Sequence, residues 1–176
     1  MLDLIEYSKD INLIKHKLKL YLKQAPEGAV VFDVDETLFV NVKEDKIALH
    51  PLGASLYSLV QKQGRKICLV TAREGDPSSR LYLINQLQQM GYRDFDMIFM
   101  QPKHSESTAS YKHGTRQIIK QRFGRIVLNV GDQLSDHFEK ADEEEQLLTS
   151  VFHPRTYYVL KIKTDPSDLS LKLIEI

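Results

Sequence analysis

The segment AVVFDVDETLF, Ala29 to Phe39, sets two carboxylates, Asp33 and Asp35, directly after four consecutive apolar residues. Val30, Val31 and Phe32 are β-branched or aromatic, and a short continuous apolar run of this kind suits a strand buried on both faces of a parallel sheet. In open α/β sheets ligands bind outside the carboxyl ends of the strands, which is where these acids fall. If the strand alternation continued through them, Asp33 and Asp35 would point the same way. Two carboxylates so close repel each other and raise the pKa of at least one unless a cation intervenes. The pair therefore asks for a divalent metal.

Outward from this segment, strand and helix patterns alternate. Leu2 to Gln24 mixes Ile5, Leu13, Leu18, Leu20 and Tyr21 with lysines and has no proline or glycine, which predicts an amphipathic helix within residues 1–24. Its basic run KHKLKLYLK, Lys15 to Lys23, reads as a solvated helix face, with contact to a phosphate backbone as the alternative. Residues 38–50 suit a short hairpin or flap beside the acids. Pro51 opens a helix that runs to about Gln63, with Gly64 as its stop. RKICLVT, Arg65 to Thr71, reads as a second strand, and Asp76 to Ser79 starts a helix that ends near Gly91. FDMIFMQ, Phe95 to Gln101, reads as a third strand. A polar loop comes next, until a helix near Lys112 or Thr115. RIVLNV, Arg125 to Val130, is a fourth strand, with GDQLSD directly after it, and HPRTYYVLKI is a fifth strand candidate. This succession predicts an α/β fold, a Rossmann-like three-layer sandwich with a central parallel sheet and helices on both faces.

Composition narrows the class. The chain has 176 residues, enough for one domain of ordinary size. Lys plus Arg and Asp plus Glu each number 24, so no global field draws the protein to nucleic acid or to an anionic membrane. Cys68, the single cysteine, lies in the apolar run KICLV and reads as a packing residue. The amino terminus lacks the basic and apolar regions of a secretory signal, and no stretch reads as a membrane span, which together predict a cytoplasmic location.

One rim of a parallel sheet would collect Asp33 and Asp35 after the first strand, Thr71 after the second, Lys112 before the last inner helix, and Asp132 and Asp136 after the fourth. An all-oxygen cluster suits Mg²⁺ rather than zinc. A metal, a lysine and a hydroxyl around carboxylates are what a transferring phosphoryl group needs, because its charge lies on peripheral oxygens.

These four elements, in this order, resemble the haloacid dehalogenase (HAD) superfamily of phosphatases. Asp33, Asp35 and Thr37 match its D-x-D-x-T motif, Thr71 its second, Lys112 its third, and Asp132 and Asp136 its acidic fourth. VFDVDETL, the Tyr111, Lys112, Arg116 constellation and VGDQLSD are most similar to the acid phosphatase group of class C enzymes and vegetative storage proteins, subfamily IIIB. The resemblance implies that Asp33 attacks phosphorus and forms an aspartyl phosphate, and that Asp35 serves as acid and then base. It implies that Thr71, the Ala72 backbone N–H and Lys112 hold phosphoryl oxygens. Mg²⁺ would sit among Asp33, the Asp35 carbonyl, Asp132 and Asp136. Lys103 competes weakly with Lys112 for the lysine role, while Arg73 and His113 are candidate substrate contacts.

Two features depart from those relatives, which are longer and usually exported. The amino terminus does not read as an export signal, and the room for a cap between Thr37 and Pro51, and again between Gln101 and Lys112, reads as small. A minimal or absent cap predicts an open site for a bulky phosphorylated substrate, or one covered by a second subunit. Alternative readings are a phosphotransferase of the same fold, a receiver-type signalling domain, and a catalytically inactive storage or binding protein. Motif order argues against the receiver, and the presence of Asp33 against the inactive protein. The histidines, including His50, show no metal-ligand spacing and read as surface or loop residues.

Overall fold

The computed structural model describes residues 3–8, 10–41, 46–105, 107–133, 136, 150–152 and 158–163. Along the chain these form β1 (Asp3–Ser8), α1 (Ile11–Gln24), β2 (Ala29–Phe32), β3 (Phe39–Asn41), β4 (Ile47–Leu49), α2 (Pro51–Lys62) and β5 (Lys66–Glu74). They continue with α3 (Pro77–Gln89), β6 (Met97–Gln101), α4 (Thr108–Phe123), β7 (Ile126–Gly131), β8 (Ser150–Phe152) and β9 (Tyr158–Lys163). The main sheet runs β1-β9-β8-β7-β2-β5-β6. Its centre, β7-β2-β5-β6, is parallel as expected, and β8 extends it in parallel.

Side-chain alternation along the central strands divides the core in two. Val30, Phe32, Ile67 and Leu69 face Ile14 and Leu18 of α1, Leu52 and Leu56 of α2, and Leu83 and Leu87 of α3. Ala29, Val31, Cys68 and Val70 face Ile119 of α4. The three layers result from this division, because each strand is apolar on both faces. The β2–β7 register shifts between Ala29 and Val30, which puts the adjacent Val127 and Leu128 into the same cluster as α1 to α3. Burial pushes the Cys68 thiol up to about 12, in keeping with a packing residue.

Several expectations need correction. Residues 3–8 are a strand antiparallel to β9, and the helix begins only after Asp10, whose side chain accepts from the N–H groups of Asn12 and Leu13. A capping aspartate marks that start, whereas the partner of β1 lies some 150 residues away and leaves no local sign. Lys17 is not on a solvated face: it lies in the buried stripe of α1 with Ile14, Leu18, Tyr21 and Leu22. The strand expected at residues 153–162 is antiparallel β9 where it is described, while residues 153–157 fall outside the described residues. β8 was not foreseen. The acidic run at 142–145, His137, His153 and the last thirteen residues also lie outside. The flap is the two-stranded pair β3–β4, with residues 42–45 outside the description. Among the described residues no helix is long and apolar enough to cross a membrane.

Candidate active site

The chain leaves the sheet at Phe32 and turns at once. The N–H of Asp33 still reaches the Val130 carbonyl at 2.9 Å, extending the β2–β7 ladder by one bond. The N–H groups of Thr37, Leu38 and Phe39 then converge on the Val34 carbonyl, and Glu36 takes a positive φ of 57° to allow the wrap. Val34 is fully buried and anchors this turn. Beneath it the rings of Phe32, Tyr57, Tyr92 and Phe39 form a chain of contacts with centroids 4.9 to 6.0 Å apart. The Tyr92 hydroxyl donates to the Leu38 carbonyl at 2.7 Å, and Gly53 of α2 comes so close to the Thr37 carbonyl that an added Cβ would overlap it.

Because strand geometry ends at Phe32, the two aspartates do not share partners, contrary to the expectation from alternation. Asp33 is 6% exposed and accepts from Lys112 Nζ at 2.8 Å and from the Thr37 hydroxyl at 3.3 Å. Lys112 also pairs with Asp136, which is equally buried. The Asp136 carboxylate accepts the Gln133 N–H at 2.9 Å, and its backbone carbonyl accepts from Arg116 at 2.9 Å and from the Asn129 amide. Gly131 leaves the space this carboxylate occupies; a Cβ there would overlap it. Asp132 is half-buried beside them, and carboxylate oxygens of Asp33, Asp132 and Asp136 all lie within 4.8 Å of one another.

Three carboxylates thus face one ammonium. Burial, then the neighbouring Asp136, raise the Asp33 carboxyl well above its ordinary value, while Lys112 pulls the other way. Asp132 is raised for the same first reason, burial. Burial by itself would lower the Lys112 ammonium, but Asp33 and Asp136 more than reverse it and hold the charge on. An excess of carboxylate in a dry site, with oxygen donors alone, fits a hard divalent cation.

Asp35 belongs to a second cluster. Arg73 grips it by both oxygens, Nε to Oδ2 at 2.8 Å and Nη2 to Oδ1 at 2.6 Å, and the Asn41 amide adds a bond at 3.3 Å. Arg73 is itself held by the Gln86 side chain at 2.7 Å and by the face of Phe39, 5.7 Å from the ring centre. The Asp35 hydrogen bond raises the Arg73 guanidinium further. Arg73, a candidate substrate contact from the sequence, has its fork occupied by Asp35. The Asp35 side chain is accordingly absent from the carboxylate cluster, and only its backbone carbonyl is left for a metal.

Thr71 is buried at the same rim, and its hydroxyl accepts the Arg73 N–H at 3.1 Å. The β5–β6 register jumps between Thr71 and Glu74, so Ala72 and Arg73 are a bulge outside the ladder and Ala72 is exposed. Bulges of this kind re-aim groups beside active sites. Lys103 is 72% exposed beside Glu74, so Lys112 is the lysine next to Asp33. α4 begins at Thr108 behind a Ser107 cap, earlier than expected, which puts Lys112 in its second turn and the half-buried His113 next to it. His50 is no loose surface residue: it caps α2, accepting the Gly53 N–H at 3.3 Å, and burial lowers its pKa. Sequence reasoning missed Asn129, Gln133, Asn41 and Gln86 as supporting groups. Only Gln133, inside GDQLSD, carried any signal.

A family model for the HAD superfamily, subfamily IIIB (Acid phosphatase), matches residues 39–160. The match begins after Thr37, so Asp33, Asp35 and Thr37 add to it independently. Acid phosphatase 1 of Solanum lycopersicum is 28% identical over 159 residues, covering 74% of this chain; the chain spans only 62% of that relative. The structure of the class C acid phosphatase from Bacillus anthracis shares the fold with a TM-score of 0.63 at 18% identity, covering 83% of this chain and 76% of that one. A crystal structure of class C acid phosphatase from Bacillus anthracis with tungstate bound gives a TM-score of 0.56 at 22% identity, with coverage of 72% and 61%. With most of its length matched by the family model and its charged motifs gathered at one rim of the expected sheet, the chain belongs to the HAD superfamily, subfamily IIIB, the acid phosphatases.

Proposed function

We propose that the protein is a Mg²⁺-dependent phosphomonoesterase that works through an aspartyl phosphate on Asp33. The observation that carries this reading is the cluster of buried Asp33, Lys112 and Asp136 with half-buried Asp132, in which a nucleophilic carboxylate sits beside an ammonium and two further carboxylates. Asp33, Asp132, Asp136 and the Asp35 carbonyl would hold the Mg²⁺, which supplies charge neutralisation for the phosphoryl group and keeps Asp33 ionised. Tungstate, bound in one solved acid phosphatase of this fold, is a tetrahedral oxyanion like phosphate.

The chain's own groups divide the work. Asp33 attacks phosphorus as the ester oxygen leaves, and a water then cleaves the aspartyl phosphate. Lys112, fixed by two carboxylates, neutralises charge on the phosphoryl oxygens. The Thr71 hydroxyl and the Ala72 N–H, beside the bulge, donate to those oxygens. Asp35 gives a proton to the leaving oxygen and takes one from the water. Arg73 and Asn41 take two acceptor positions on Oδ1 and one on Oδ2, so the transferred proton is carried at the position of Oδ2 that they leave open. The small β3–β4 pair suits an exposed phosphoester on a bulky substrate.

The test is hydrolysis of p-nitrophenyl phosphate by wild type and Asp33→Asn, each with Mg²⁺ and with excess EDTA. Turnover is expected only in wild type with metal, and Asp33→Asn should lose at least about a thousandfold. Equal turnover with EDTA, or in Asp33→Asn, would overturn the reading.

A further inference from the structure

At the opposite end of the sheet from the carboxylates lies a groove of about 950 Å³. It is lined by Lys15, Lys19 and Lys23 of α1, Lys62 of α2 and Lys66 of β5, with Glu27 as the carboxylate among its described lining residues. The α1 lysines recur every four residues and so form a single row, about 12 Å long at 1.5 Å per residue. All five are exposed. Lys66 shares its charge with Asp96 at 3.1 Å, but Lys15, Lys19, Lys23 and Lys62 have no ion-pair partner among the described residues. In a chain of zero formal net charge this is a local concentration of unpaired ammonium groups.

One feature of the groove would ordinarily repel an anion. The last carbonyls of a helix carry partial negative charge, and α1 ends here. Arg65, also a lining residue, removes that obstacle by donating to the carbonyls of Leu22, of Ala25 at 2.9 Å and of Pro26 at 2.8 Å. The groove floor is therefore capped by a guanidinium, and the lysines around it are left to act on a ligand.

We propose that this groove binds a compact, multiply phosphorylated anion, at a site separate from the active rim. Gly28 at the groove and Asp33 at the rim bracket β2, so the two sites stand roughly 16 Å apart at about 3.3 Å per residue. Lysine ammonium groups are point charges that recognise phosphate oxygens without selecting a planar partner. The size of the groove is that of a small-molecule site. Its concave shape does not fit a flat membrane, and among the described residues Phe123 is the one aromatic side chain along it, too few for a track of stacked bases.

Calorimetric titration of the full chain with sodium tripolyphosphate in EDTA buffer tests this. Wild type should bind at one site, with affinity that falls as salt is added. Lys15→Gln/Lys19→Gln/Lys62→Gln should bind on the order of tenfold more weakly, and the matching triple Lys→Arg variant should retain affinity. Asp33→Asn should bind as wild type does, which separates the groove from the rim. Three results would overturn the proposal: no binding by wild type, equal affinity in the triple Gln variant, or a change in Asp33→Asn larger than in that variant. Tighter binding of a single-stranded oligonucleotide with the same number of phosphates would also overturn it, by making the groove a nucleic-acid track.

Discussion

The two ends of the same strands treat charge in opposite ways. At the carboxyl ends of β2 and β7, Asp33, Asp136 and Lys112 are almost fully buried and bonded to one another. At the amino ends of β2 and β5, Lys15, Lys19, Lys23 and Lys62 are exposed around an open groove. Burial makes every charge at the rim depend on its neighbours, since an unpaired ion there loses its hydration without recompense. Exposure makes each lysine at the groove nearly independent of the others. The rim should therefore be fragile and specific, the groove tolerant and salt-sensitive.

The sharpest way to break this contrast is to remove the cation at the rim. Lys112→Met leaves Asp33 and Asp136 uncompensated, and metal-free protein should lose about 3–5 kcal/mol of stability in urea unfolding, part of which saturating Mg²⁺ restores. A loss no larger than that of a surface lysine would mean that the site is wetter than its burial indicates. Gly131→Ala should come next, at about 1–3 kcal/mol, because its Cβ would overlap the Asp136 carboxylate. Mg²⁺ affinity should fall with it; unchanged affinity would remove Asp136 from the proposed metal ligands.

The pH dependence of metal-free stability sharpens the same point. Asp33 and Asp132 have native pKa values raised above those of the unfolded chain. Between the ordinary carboxylate value and the raised one, the native state binds more protons, so this contribution to stability falls as pH rises through that window. Lys112 does not change this slope, because its raised pKa keeps it charged throughout. Saturating Mg²⁺ should flatten the fall. Stability that rises through the window with and without metal would contradict the raised values. The smallest effect is expected at the groove, where Lys15→Gln/Lys19→Gln/Lys62→Gln should change stability by no more than about 0.5 kcal/mol.

Much of this was legible in local pattern. The four central strands, the helix starts at Pro51 and Asp76, and the motif residues Asp33, Thr71, Asp132 and Asp136 can be read from apolar runs and the polar residues that follow them, whereas Lys112, inside α4, stands at the end of no such run. The start of α4 cannot be read in this way, for a specific reason. Its buried stripe is Lys112, Thr115, Arg116 and Ile119, a helical spacing occupied mostly by polar residues because this face meets the acids of the site. Hydrophobic periodicity is silent where a helix buries function rather than core. β1 was hidden differently, since a strand at a sheet edge depends on a ladder partner far along the chain.

By itself the sequence determined the parallel core, the order of the motifs and their arrival at one rim, because short apolar runs and turn residues act locally. Tertiary structure alone decided which charges meet. Lys112 rather than Lys103 reaches Asp33, Arg73 closes on Asp35, and lysines of α1, α2 and β5 come to share a groove. Pairing energies depend on distance and burial between residues far apart in the chain, and neither quantity is written in any single stretch of it.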